Sequence, residues 1–350
     1  RRWQERIDRL QEYAVIRDGN IFHTSISDSF LFESAYQKAR SLKDELLRDY
    51  AGMALEEAFS GEVMETGLGT CYHLTSSDNE TVRLPEPRDL RQDLLYDLTL
   101  VRGVGPITEK RLRGRGYRTI ADLQSHPRFR DDARACLRHL DGGDLTTLQQ
   151  WMGQRYPKAH HRMLDISQMA DAGSLVFLDL ETLGLFSRPI ILFGVGRLGR
   201  GTLTVHQYLL RDISEEPAAL EAALSHLEGE GAALVTFNGK TFDLPYLQDR
   251  AAYYGQPLIA TWPHFDILHF SRRRWKGNLP DCRLTTLERS IFNRCRENDV
   301  PSQMVPEFYE TYRRTGNPGP LVPIVEHNRQ DVITLAHLYA HLLEQGNAGG

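Results

Sequence analysis

The sequence predicts an α/β protein in which a mixed β-sheet flanked by helices follows a mainly helical region. Three observations predict it. Leu175 to Leu178 is an unbroken apolar run, and Pro189 to Arg197 and Thr202 to Leu210 are apolar, β-rich runs around a Gly199-Arg200-Gly201 turn, the length and punctuation of buried strands. After them, a helical pattern over Glu215 to Leu227, a strand over Ala232 to Phe237 and the closing run VITLAHLYAHLL alternate as α/β units do. Before them, Leu94 to Leu123 reads as two helices about a Gly103-Val104-Gly105 turn.

Taken in order, Arg1 to Ile16 spaces Trp3, Ile7, Leu10 and Ala14 as a packed surface helix. Ser34 to Phe59 is also helical in pattern, and Gly61 to Leu84 changes to short β-like runs with turns at Gly67, Gly69 and Asp78-Asn79. In the 94–123 stretch, Pro106 suits an early helical position and the second helix is expected to end at Gly116. Asp122 to Tyr156 continues as helices with polar turns. Pro157 to Ala172, rich in His, Asp and small residues, reads as a boundary, with His160 and His161 expected to be solvated. The expected divisions are residues 1–90, of no readable role, 91–160, a helical region, and 173–345, the α/β domain.

With 350 residues, 41% hydrophobic and 25% charged, the chain has the composition of a globular protein large enough for two domains. A formal net charge of −5 provides no global attraction to nucleic acid, so any such binding has to come from local basic patches. Four cysteines, Cys71, Cys136, Cys282 and Cys295, form no C-x-x-C pair, and reduced thiols are expected. The charged stretch Arg1 to Tyr13 is unlike a signal peptide and no apolar run nears the roughly 20 residues of a membrane helix. A cytoplasmic protein is the expectation. The absence of an initiating Met leads us to expect an upstream segment.

The chemistry centres on acids. Asp179 and Glu181 close the run SLVFLDLE two residues apart, so both point to one face of a strand. Two carboxylates so placed repel unless a cation lies between them, and hard divalent ions take such oxygens; the plain alternative is a strand ending in a solvated acidic turn. Asp243 stands where a helix would begin after the strand and turn of VTFNGKTFD. His327 and Asp331, four apart, share a helix face. Strand, helix-start and helix-face acids can converge at one point. Asp266 is read as a helix cap. In the basic run SRRRWK, Arg272, Arg273, Arg274 and Lys276 are candidates for phosphate contact, although adjacent arginines on a helix cannot all point one way, so one or two are expected to do so. No G-x-x-x-x-G-K pattern is present, and ATP-driven unwinding is not expected.

In this order the segments around Asp179, Asp243 and Asp331 resemble the three motifs of DEDD 3′-5′ exonucleases with the ribonuclease H-like fold, and FNGKTFDLPYL is close to the second motif of polymerase proofreading domains. The runs WPHFDILHFSRRRW, DCRLTTLE, VPEFYETYRRTGN and EHNRQDV more specifically resemble the YprB-like branch. The resemblance covers about Ser174 to Leu343. It departs from the best-known groups at His327, where one has tyrosine at this spacing and another has histidine one position earlier. It implies two divalent ions, Mg²⁺ or Mn²⁺, with Asp179 bridging them, Glu181 and Asp331 completing one and Asp243 supporting the second. His327 would be the general base, and Leu180, Asn238 and Phe242 would contact the terminal nucleotide. The reaction would be hydrolysis from a 3′ end to nucleoside 5′-monophosphates. Separately, the 94–123 stretch looks like a helix-hairpin-helix motif. Such motifs usually grip DNA backbone, here through Gly103 and Gly105 with Lys110 and Arg111 beside them; that tilts the expected partner toward single-stranded DNA. The rivals are an endonucleolytic or RNA-trimming enzyme of the same fold and a non-catalytic nucleic-acid-binding adaptor.

Overall fold

The computed structural model describes residues 26–347 except 87–88, 143, 185–186, 259–260 and 297–298. The helix expected over Arg1 to Ile16 lies outside them. The chain enters through α1 (Ile26–Asp49) and α2 (Leu55–Ala58), then a hairpin of β1 (Gly61–Thr66) and β2 (Gly69–Ser77). A helical stretch follows with α3 (Leu90–Leu95), α4 (Pro106–Gly114), α5 (Arg130–Gly142), α6 (Leu145–Gly153) and α7 (His161–Asp165). The remainder is β3 (Leu175–Thr182), β4 (Ile190–Gly199), β5 (Thr202–Leu209), α8 (Glu216–Ser225), β6 (Ala233–Thr236), α9 (Asp243–Tyr253), β7 (His264–Asp266), α10 (Leu268–Trp275), α11 (Leu284–Phe292), α12 (Val305–Thr315) and α13 (Val322–Asn347).

The strands form one mixed sheet in the order β1-β2-β5-β4-β3-β6-β7. Pairing is antiparallel from β1 to β3 and parallel from β3 through β6 to β7. The expected mixed sheet flanked by helices is thus present, and the β-like stretch after Gly61, read as part of a separate N-terminal region, supplies two of its strands. Among the described residues, no helix is long and apolar enough to cross a membrane.

Strand alternation splits the core. Leu175 and Phe177 face a cluster with Val332, Leu335 and Tyr339 of α13 and the buried residues of the helical stretch. Val176, Leu178 and Leu180 face the opposite cluster with α8, α9 and α12. Both faces are buried because helices cover both. On the second face, Glu216 at the start of α8 and Arg250 of α9 form a fully covered ion pair: Arg250 Nε donates to Glu216 Oε1 at 2.7 Å, and the same carboxylate accepts from the Ile190 amide at 2.9 Å and from Tyr254 Oη at 2.7 Å. A buried pair so fully bonded fixes the orientation of its elements more than it adds stability, and α9 is the helix that opens with Asp243.

The helical stretch is part of the same core. Gln149 of α6 caps the free edge of β7, accepting from the His264 amide and donating to its carbonyl, both at 3.0 Å, which replaces a missing strand partner. The 157–172 stretch, expected as a polar boundary, is instead packed: Met163, Leu164 and Ile166 are buried, and Ser167 Oγ lies 2.7 Å from Tyr339 Oη on α13. Of His160 and His161, both expected to be solvated, His161 is exposed, whereas His160 is half-buried and stacks on Tyr156 at 4.2 Å. Burial, reinforced by the neighbouring His161, pushes the His160 pKa down to about 4. The first helix of the 94–123 stretch breaks at Asp97, whose carboxylate accepts from the Thr99 amide and starts a separate 3₁₀ turn. The glycine turn itself is present, with Gly103 at φ +80° and Pro106 opening α4, which ends at Gly114 ahead of left-handed Gly116.

Candidate active site

The acids lie where the β3 alternation meets α13. Leu175 and Phe177 point at α13, so Asp179 and Glu181, in the same parity, do too. Asp179 pairs across the sheet with Gly194 of β4. A β-carbon on Gly194 would come within 2.3 Å of Asn328 Oδ1, so the glycine makes room for Asn328, which is fully buried. Asn328 Nδ2 donates to the Asp179 backbone carbonyl at 3.1 Å and to Asp179 Oδ2 at 3.0 Å, while its own Oδ1 accepts from Gln207 Nε2 at 2.9 Å. The Asp179 carboxylate is therefore held by a bonded chain running back into β5.

Asp243 is the first residue of α9. The approach to it is a tight loop: Asn238 is left-handed at φ +69°, and a β-carbon on Gly239 would lie 2.3 Å from Thr236 Oγ1. Asp266, at the end of β7, pins this loop by accepting from the Asn238 amide at 2.8 Å and the Lys240 amide at 3.1 Å. It also accepts from the Leu268 amide at 3.2 Å, the helix-capping role read from the sequence.

From α13, His327 Nε2 lies 3.5 Å from Asp331 Oδ2 and 3.8 Å from Glu181 Oε1, while Nδ1 meets Asp299 Oδ1 at 2.5 Å. Arg296 reaches Asp331 Oδ1 with Nη2 at 2.6 Å and Glu288 Oε2 with Nε at 2.6 Å. Burial alone would lower the His327 pKa, but Asp331, the Asp299 hydrogen bond and Glu181 outweigh it and raise it to about 10. At neutral pH this ring is an imidazolium, whereas the general-base role expected of it needs the neutral form. Asp299, whose carboxyl stays below its ordinary value through the His327 contact despite burial, together with Arg296, Glu288 and Asn328, was missed from the sequence.

Asp179, Asp243, Asp331, His327 and Asp299 line one cavity of about 1090 Å³, together with Asn238, Phe242, Arg272 and Lys276. Glu181 is buried behind them, 3% exposed. Of the basic run, Arg272 and Lys276 are one helical turn apart and share the cavity. Arg273 and Arg274 correct the expectation: Arg273 Nη1 donates to the Ala159 carbonyl at 2.9 Å and Arg274 Nε to Gln345 Oε1 at 2.7 Å, because successive helical positions turn away by about 100°. Leu180 corrects it too. Its side chain points to the opposite face and is wholly enclosed in the α8/α9 core, as its place between two acids that face α13 requires. Gly103, Gly105, Lys110 and Arg111 are exposed on the helical stretch and do not line the cavity.

Carboxylates are the donors that hard divalent cations prefer, and four are assembled here from β3, α9 and α13. Among the described residues, no three acid, imidazole or thiol groups are gathered about one point so as to hold an ion as they stand; positive charge comes instead from Arg296 and the His327 ring. Cys71 and Cys136 are buried, which raises their pKa values to about 11 and about 12 and leaves unreactive thiols.

The family model described as RNase_H superfamily matches residues 176–343. That segment is a ribonuclease H superfamily domain. The chain is also similar to the uncharacterized protein YprB of Bacillus subtilis (strain 168), 34% identical over 174 residues, which is 48% of this chain and 42% of that protein. The chain thus matches less than half the length of this relative. All four acids and His327 fall inside the ribonuclease H-like segment, whereas α1, the β1–β2 hairpin and the helical stretch lie outside it.

Proposed function

We propose that this protein is a divalent-metal-dependent 3′-5′ exonuclease that hydrolyses nucleic acid, single-stranded DNA in preference, to nucleoside 5′-monophosphates. The observation that carries the reading is the convergence of Asp179, Asp243 and Asp331, from three separate elements of a ribonuclease H-like domain, on one cavity, with Glu181 directly behind.

By donor chemistry the four carboxylates fit Mg²⁺ or Mn²⁺, and Asp179, Glu181, Asp243 and Asp331 would hold two such ions. Once bound, these would make water easier to deprotonate and stabilise the leaving oxygen of a phosphodiester. The chain's own part is positional. Asn328 fixes the Asp179 carboxylate, and Arg296 balances Asp331 and Glu288 within the buried wall. Arg272 and Lys276 meet substrate phosphates, and Phe242 and Asn238 bound the terminal nucleotide. His327 Nε2 is the atom through which a proton would move, oriented by Asp299 at Nδ1. It accepts a proton only where the charge of Glu181 and Asp331 is neutralised, since those carboxylates, with Asp299, keep it protonated. The exposed Gly103–Gly105 turn, with Lys110 and Arg111 on α4, would grip strand backbone away from the cavity.

The test is a metal-dependent time course on linear and circular single strands, with the linear strands labelled at the 5′ end and presented as DNA and as RNA. A descending ladder from linear strands, with circles intact, is the expected result. Cut circles would mean an endonuclease, and binding without any cleavage would mean an adaptor.

A further inference from the structure

Among the described residues, two that line the cavity come from outside the ribonuclease H-like segment. Tyr36 and Lys38, both on α1, line it alongside the acids. The helix that carries them is tied down: Tyr36 Oη donates to Gln303 Oε1 at 2.9 Å, Lys43 pairs with Glu307 of α12, and Asn317 Nδ2 donates to the Leu47 carbonyl at 2.8 Å. A β-carbon on Gly319 would lie 2.5 Å from the Leu46 carbonyl oxygen, so α1 also sits at contact distance on the turn before α13. The wall is therefore built into the fold.

The cavity lining carries charges of both signs. Asp179, Asp243, Asp281, Asp299 and Asp331 supply its acids, and Lys38, Arg272, Lys276 and Arg283 supply cations, with Arg283 Nε 3.7 Å from Asp281 Oδ2. Three aromatic rings, Tyr36, Phe237 and Phe242, share the lining. At about 1090 Å³ it exceeds the roughly 300–1,000 Å³ of a small-molecule pocket, so it has room beyond a single terminal nucleotide. Cations interleaved with aromatic rings are the chemistry of single-strand sites, where unpaired bases stack and phosphates meet lysine or arginine; a duplex keeps its base faces covered.

We infer that α1 supplies a subsite for the nucleotides upstream of the scissile phosphate of a single-stranded polynucleotide, with the Tyr36 ring stacking on a base and Lys38 meeting a phosphate. This rests on the exonuclease reading above for the position of the scissile bond. It gives α1 a substrate role in addition to its packing on α12, and makes the enzyme dependent on strand length.

The experiment compares kcat/KM on a dinucleotide and on ten-residue single strands of deoxythymidine and of uridine, for wild type, Tyr36→Ala, Tyr36→Phe and Lys38→Gln. Wild type is expected to prefer the longer strands. Tyr36→Ala and Lys38→Gln should each cut that preference about tenfold, through KM, while Tyr36→Phe, which keeps the ring and loses the hydroxyl bonded to Gln303, retains most of it. Variants that keep the full length preference overturn the subsite. Equal losses on short and long strands, with a lowered melting temperature, also overturn it, by making α1 a support only. If wild type cleaves neither length, the exonuclease reading fails instead; fluorescence anisotropy of the labelled ten-residue strands with the same variants then decides the subsite, which falls if all bind alike.

Discussion

Gly194 shows how much of the site rests on a residue with no side chain. In the sequence it is one glycine in an apolar strand, a position that ordinarily weakens pairing. In the fold it faces Asp179 and leaves the space that Asn328 fills. Gly194→Ala should therefore push Asn328 off Asp179, destabilising the protein by about 1–3 kcal/mol and lowering activity more than an alanine placed at exposed Gly199, as a urea melt and a rate assay would register. Leu180 carries the complementary lesson. The alternation that put Asp179 and Glu181 on one face already sent Leu180 to the other, so its burial was legible although a family contact pointed elsewhere. Asp299, Arg296 and Asn328 were not legible, since each meets the acids through a long-range contact that no local periodicity encodes. The His327–Asp299 pair also gives the metal-free protein a pH signature. His327 is raised from 6.5 to about 10, so its stabilisation is whole below 6.5 and is lost as pH rises through about 10. Asp299 is lowered from 3.8, so its share is whole above 3.8 and is lost at still lower pH. The urea midpoint should fall between pH 7 and pH 10, and Asp299→Asn should flatten that fall; an unchanged slope in the variant would show that the pair does not set it.

Three helices, α9, α10 and α13, divide the labour of the site, and they were foreseen more clearly as helices than as surfaces. The i, i+4 spacing of His327 and Asp331 held on α13, and the turn and helix start around Asn238 and Asp243 held on α9, because these signals are local. On α10 the sequence offered four cations and could not say which face was outward, since that depends on the helical stretch and α13 packing behind it. Arg273 and Arg274 are spent on Ala159 and Gln345, and Trp275 stacks on His341. The expected consequence is a split within one helix. Arg272→Gln and Lys276→Gln should each raise KM for a single strand and reduce its salt dependence, while Arg274→Gln should leave both nearly as in wild type; a reversed ranking in a salt titration would contradict this orientation of α10.

The whole molecule joins parts that the sequence suggested were separate. The β1–β2 hairpin extends the sheet by pairing with β5, Gln149 closes the opposite edge, and the buried residues of the helical stretch run into the same cluster as β3 and α13. These joins are invisible in composition because each part has ordinary polarity and the contacts span a hundred residues or more. For the cavity the join that matters is that of α1, which brings Tyr36 and Lys38 into its lining. A chain of net charge −5 repels polyanions as a whole, so on the proposed reading a nucleic-acid substrate would be drawn in by local cations such as Lys38, Arg272 and Lys276 and retained by ions bound at the carboxylates. Those ions are the point on which the functional reading turns. A calorimetric titration of Mn²⁺ into wild type and into Asp179→Asn, at fixed pH and with matched melting temperatures, measures it directly. Saturable binding by wild type, weakened at least about tenfold in the variant, is the predicted result. No binding by wild type, or the same affinity in both, would contradict it.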